Sequence, residues 1–81
     1  MKAPVVRSLA ESYDAARLTA FVEAITEREE DPSEVGGDDV GEKLTHVMLA
    51  LRVRGRVDAG EPLKDAFRAE MAAVRTVMSN G

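Results

Sequence analysis

The chain has no cysteine and no tryptophan among its 81 residues. Without thiols there is no disulfide framework and no thiolate metal site to reinforce a small core. Aromatic residues are nearly as scarce, with Tyr13, Phe21 and Phe67 the whole set, so any core must be built mostly from aliphatic side chains. The longest uninterrupted apolar run is Val47 to Leu51, far short of the roughly 20 residues a membrane span needs. No long apolar stretch follows Lys2 that would read as a secretion signal. A cytoplasmic protein with no membrane association is the expectation.

Catalytic patterns are missing as well. No serine lies in a Gly-x-Ser-x-Gly turn, and His46, the single histidine, has no identifiable serine partner, so nucleophilic catalysis has little to draw on. Gly36-Gly37 is followed by Asp38-Asp39, whose charge would repel the phosphate that a glycine-rich loop otherwise cradles. A non-enzymatic protein without a cofactor is expected.

What is present is enough apolar residue for a folded domain, 44% beside 32% charged, a balance typical of globular chains rather than disordered ones. A chain this short buries only about 60% of its unfolded surface, so its stability is marginal. With staples absent, oligomerisation is the remaining remedy. The net charge of −4 conceals an asymmetry: Glu23 to Glu42 holds nine acids against Arg28 alone, whereas Lys43 to Gly60 carries Lys43, Arg52, Arg54 and Arg56 against Asp58. Such polarity either orients a partner or serves as solvated surface.

Periodicity predicts three helices. The first, about residues 5–30, carries a capping-box pattern at Ser8 and Glu11 at or just inside its start and an apolar set at Val6, Leu9, Ala10, Tyr13, Ala16, Ala20 and Ala24. A second set, Leu18, Phe21, Val22 and Ile25, lies about 120° round the axis, so the helix bends or touches more than one neighbour. Residues 31–39, with one proline, two glycines and four acids, read as a flexible acidic loop. The second helix, about 40–54, has Asp39 and Glu42 in capping-box register, a stripe of Val40, Leu44, Val47, Met48 and Leu51, and Gly55 as its natural stop. Residues 47–57 also alternate in the manner of a strand, through Arg52, Arg54 and Arg56, although helix is favoured. The third helix, about 62–79, opens at Pro62 and continues through Leu63, Ala66, Phe67, Met71, Val74, Val77 and Met78. The fold expected is all-α, a three-helix bundle or helical hairpin completed by dimerisation.

Three ligand chemistries can be weighed on spacing. Asp31, Gly36 and Glu42 stand at positions one, six and twelve of a calcium-binding loop, but Val35 at position five has no side-chain oxygen and Asp38 occupies a normally apolar position, so calcium binding is not expected. Glu42 and His46 share a helix face, yet a single Glu-x-x-x-His is too thin for a metal centre. Arg52, Arg54 and Arg56 before a turn invite a helix-turn-helix reading. The acidic pI near 4.9 and the Glu61-Pro62-Leu63-Lys64-Asp65 start of the next helix argue against nucleic acid.

Surplus apolar surface is the best-supported feature. Leu49 and Val53 align with His46 and Glu42 opposite the main stripe of the second helix, and Leu18 and Val22 are surplus on the first. These four are the expected interaction residues, for a second copy of the chain or another protein. The expected function is a protein-interaction or regulatory module. Its rival is a small nucleic-acid-associated regulator, or an acidic inhibitor that mimics nucleic acid. Arg17 and Glu70 each interrupt an apolar stripe, which predicts an ion pair between them, within a subunit or across a dimer.

Overall fold

Pro4 sits in the first helical turn, where its missing N–H costs nothing, and α1 spans Ala3–Ser12. The computed structural model describes the backbone of residues 1–80 and the side chains of residues 1–76. Ser8 and Glu11 therefore lie inside α1 and do not cap it, and Glu11 instead pairs with Arg7 one turn earlier at 3.2 Å.

The expected first helix is two helices. Tyr13 (φ −129°, ψ 145°) and Asp14 (φ −82°, ψ 174°) are extended, and α2 restarts at Ala15–Arg28 with the Asp14 carboxylate accepting the Arg17 N–H. The two apolar sets set about 120° apart on a straight helix explain the break. Turning the chain at residues 13–14 brings Val6, Leu9 and Ala10 of α1 and Leu18 and Phe21 of α2 into one core. Tyr13 meets Phe21 edge-to-face across the corner, ring centroids 5.1 Å apart. The freed end of α1 is satisfied by Arg54, which donates to the Ala10 carbonyl at 3.2 Å, a cation where a helix C-terminus favours one.

The acidic segment after α2 is not a detached connector. Val35 is buried in the core, and the two glycines let the backbone reach it. A Cβ on Gly36 would stand 3.3 Å from the Val5 methyls, and Gly37 has φ +151° with space for a Cβ closed to 2.9 Å by the Lys43 side chain.

Helix α3, Val40–Asp58, starts where Asp39 accepts the Glu42 N–H at 2.8 Å. It runs straight through Gly55 to Asp58, four residues beyond the expected end at residue 54, and residues 47–57 hold no strand. A lone glycine weakens a helix by about 1 kcal/mol without ending it. Termination falls to Gly60, at φ +112°, whose N–H reaches the Val57 carbonyl while the Glu61 N–H reaches that of Arg56. Helix α4, Leu63–Asn80, follows Pro62 directly. Val77 and Met78, expected on its stripe, lie outside the described side chains.

The described chain is thus all-helical, with four helices and not three. Helix α3 packs against each of the others, whereas α1 and α4 meet only slightly. The molecule measures 32 × 30 × 19 Å, two helix layers in its thin direction. None of its described helices is long and apolar enough to cross a membrane.

Candidate interaction surface

The interior polar residues are structural. His46 is fully buried, with Nδ1 2.8 Å from the Gly36 carbonyl and Nε2 2.8 Å from the backbone N of Lys2. The amide can only donate and the carbonyl can only accept, so the ring is the neutral Nδ1–H tautomer. Its two nitrogens tie the start of α1 and the glycine loop to α3, leaving neither for a metal or a proton shuttle. Glu42 faces the same seam. It accepts the Asp38 N–H at 2.7 Å and lies 3.3 Å from the Met1 amine. The Asp38 backbone donor is the main reason its pKa falls to about 2, against the opposing effect of burial and with help from the Met1 amine and Lys2.

The acids of the calcium-like loop are likewise taken up by cations, Asp31 by Lys43 and Asp38 by Lys2. No group of three potential metal-ligating side chains forms among the described residues.

The Arg17–Glu70 pair is not formed within the chain. Glu70, 3% exposed, accepts from Arg52 at 2.7 Å and from Arg56, both on α3. Burial works to raise its pKa, but the two guanidinium hydrogen bonds outweigh it and the carboxyl titrates below its ordinary range. Arg17 instead lies over the Phe21 ring, 5.0 Å from its centroid, and 3.6 Å from Glu34. The break at residues 13–14 is the physical cause, because it swings Arg17 to the side of the molecule facing the acidic loop. All three α3 arginines are engaged internally: Arg56 also contacts Glu61, and Arg54 binds Asp58 as well as the Ala10 carbonyl.

Of the four expected interaction residues, Leu18 and Val53 have no exposed surface and belong to the core, while Val22 and Leu49 are partly buried against it. The inward face of α3 is rotated relative to expectation and keeps only part of the expected stripe. The side bearing His46, Ala50 and Val53 points inward, because the ring finds both its hydrogen-bond partners there. Of the expected stripe of Val40, Leu44, Val47, Met48 and Leu51, Val47 is fully buried and Leu51 packs against the core, while Val40 and Met48 are exposed. Met48 and Leu51 form a cleft of about 300 Å³ with Val22 of α2 and Arg52.

A second concavity follows the open side between α1 and α4. It is a groove of about 430 Å³ whose floor is Ala3 with Phe67, Met71 and Val74, and whose lips carry Arg7, Lys64, Arg68 and Arg75. Arg7 also leans on the Phe67 ring, 5.9 Å from its centroid. The sequence reading missed this groove. Its signal is Lys64, Arg68 and Arg75 recurring beside the Phe67, Met71 and Val74 stripe, sparser than the charge runs of residues 23–42 and 52–56.

Residues 1–79 match the family of unknown function DUF6952. The chain belongs to that family. The match takes in all four helices almost to the end of α4, so the family covers both concavities. No curated protein and no solved structure matches the chain.

Proposed function

We propose that this DUF6952 member is a non-enzymatic protein-interaction module of the cytoplasm that pairs with a second copy of itself through the outer stripe of α3. The observation that carries this reading is Met48. It is a large apolar side chain 52% exposed at the mouth of a cleft formed with Val22 and Leu51, on a helix already packed on its other sides. Val40 adds a second exposed apolar residue two turns earlier. A single helix stripe meets its own copy about a two-fold axis with every contact made twice, the simplest closed arrangement for a small chain short of core. The polar interior supports the non-enzymatic half of the reading, since His46, Glu42 and Glu70 each have intramolecular partners. The nucleic-acid alternative is weakened by the same economy, because Arg52, Arg54 and Arg56 are occupied by acids of the chain.

Sedimentation at micromolar concentration tests the proposal. The wild type is expected as a dimer and a Val40→Glu plus Met48→Glu variant as a folded monomer, both positions being exposed enough to accept charge without unfolding. A monomeric wild type, or a dimer indifferent to the double substitution, would refute it.

A further inference from the structure

We infer that the groove between α1 and α4 receives an acidic amphipathic helix of a partner protein, a site separate from the α3 stripe. The first observation is a selection among cations. The chain has eleven lysines and arginines, and Lys2, Arg7, Arg17, Arg28, Lys43, Arg52, Arg54 and Arg56 are each in a salt bridge within it. The three with no such partner among the described residues are Lys64, Arg68 and Arg75, and all three line this groove. In a protein with an acidic excess of four charges, three cations along one edge with no salt-bridge partner among the described residues form the pattern of a surface whose counter-charge comes from outside.

The second observation is their order. At 100° per residue Lys64, Arg68 and Arg75 fall within an arc of about 40° on α4, and Phe67, Met71 and Val74 fall in the adjoining arc toward α1. The groove therefore has an apolar floor with anchor positions at i, i+4 and i+7 and a continuous basic lip. Lys64 to Arg75 covers about 16 Å of helix axis. That is the footprint of three turns of a ligand helix laying apolar residues on the floor and acids against the lip. A fatty acid offers a single anionic head and would need cations at one end of the groove, whereas here they extend along its length. A second copy of this chain has the acids, at Glu23, Glu27 and Glu29, but the helix bearing most of them buries Leu18, Phe21, Ala24 and Ile25 in its own core and has no free apolar stripe beside them.

The test is fluorescence anisotropy on the full chain with synthetic helical peptides about four turns long. One carries leucine at i, i+4 and i+7 flanked by glutamates, a second has lysine for each glutamate, and a third is a scramble of the first. The acidic peptide is expected to bind, to weaken about tenfold or more when Arg68→Glu and Arg75→Glu are combined, and to weaken again at high salt. The lysine and scrambled peptides are expected to bind at least tenfold more weakly. Both substituted residues are exposed, so circular dichroism should show an unchanged helical fold in the variant. Equal binding of acidic and basic peptides, no binding of any peptide, or displacement of the acidic peptide by dodecanoate would overturn the inference. Sedimentation of the same variant separates this site from the self-association proposed above: an unchanged oligomeric state is expected, and its loss would make a second copy the occupant and overturn the inference.

Discussion

Helix α1 has two seams, and they are finished differently. On the side facing α3 and the glycine loop, His46 joins Lys2 to Gly36, Glu42 holds the Met1 amine, and Val35 fills the space behind them. On the side facing α4 the helices barely meet, and the groove between them keeps an apolar floor beside Lys64, Arg68 and Arg75, which have no salt-bridge partner among the described residues. The first seam satisfies its polar groups internally, while the second leaves its charges for something else. Charge in this chain divides by partnership and not by density. The arginine run of α3 is conspicuous in the sequence and wholly occupied, whereas the sparse cations of α4 are the available ones.

The largest effect should come from opening the finished seam. His46→Leu fills the volume but strands the Lys2 N–H and the Gly36 carbonyl, and a loss of about 3 kcal/mol in urea unfolding is expected. A cost under about 0.5 kcal/mol would mean that the imidazole is no more important than a surface residue, and the contrast between the seams would collapse.

A smaller effect sharpens the account of the α3 arginines. Glu70→Leu and Arg56→Leu should couple by about 1 kcal/mol in a double-mutant cycle, because removing either takes away one of the other's two ion-pair partners, leaving Glu70 with Arg52 alone and Arg56 with Glu61 alone. Glu70→Leu combined with Arg17→Leu should be additive within about 0.5 kcal/mol, as the two lie on different sides of the fold. Coupling in the second cycle and none in the first would restore the pairing that the sequence suggested.

The smallest effect is a pH limb. The folded pKa of Glu42, about 2, lies below its ordinary 4.5, so its contribution is complete above the upper value and drains away as pH falls from about 4.5 toward 2. Thermal melts across that window should fall less steeply for Glu42→Gln than for the wild type. Parallel curves would show that the N-terminal seam does not draw on this carboxylate.

The sequence made the helices legible wherever a cap agreed with a stripe. Asp39 with Glu42 marked the start of α3, and Pro62 marked that of α4. It misled where one signal stood alone. Ser8 and Glu11 have capping-box spacing without a helix start, and Gly55 has a stop's identity without its backbone, which Gly60 adopts. The break at Tyr13 and Asp14 was foreshadowed by the rotation of the apolar face, but a rotation does not say whether a helix bends or simply has two neighbours. The inward face of α3 was the hardest to read. His46 counted as polar and Met48 as core until the backbone groups of Lys2 and Gly36, invisible in a pattern of side chains, supplied both hydrogen bonds the ring needs. Leu18 and Val53 read as surface in a three-helix layout, which has nothing to cover them, and the break at residues 13–14 and the inward turn of α3 place both in the core.

Helix α1 is ten residues long, shorter than the roughly 12–15 at which an isolated helix becomes even marginal in water. It is held at both ends by α3, His46 accepting at its N-terminus and Arg54 donating to its C-terminal carbonyl. The wall it gives the groove is accordingly preorganised. A ligand entering there meets one wall whose backbone is already in place, so what remains to be ordered is the ligand itself and the exposed cationic side chains of α4.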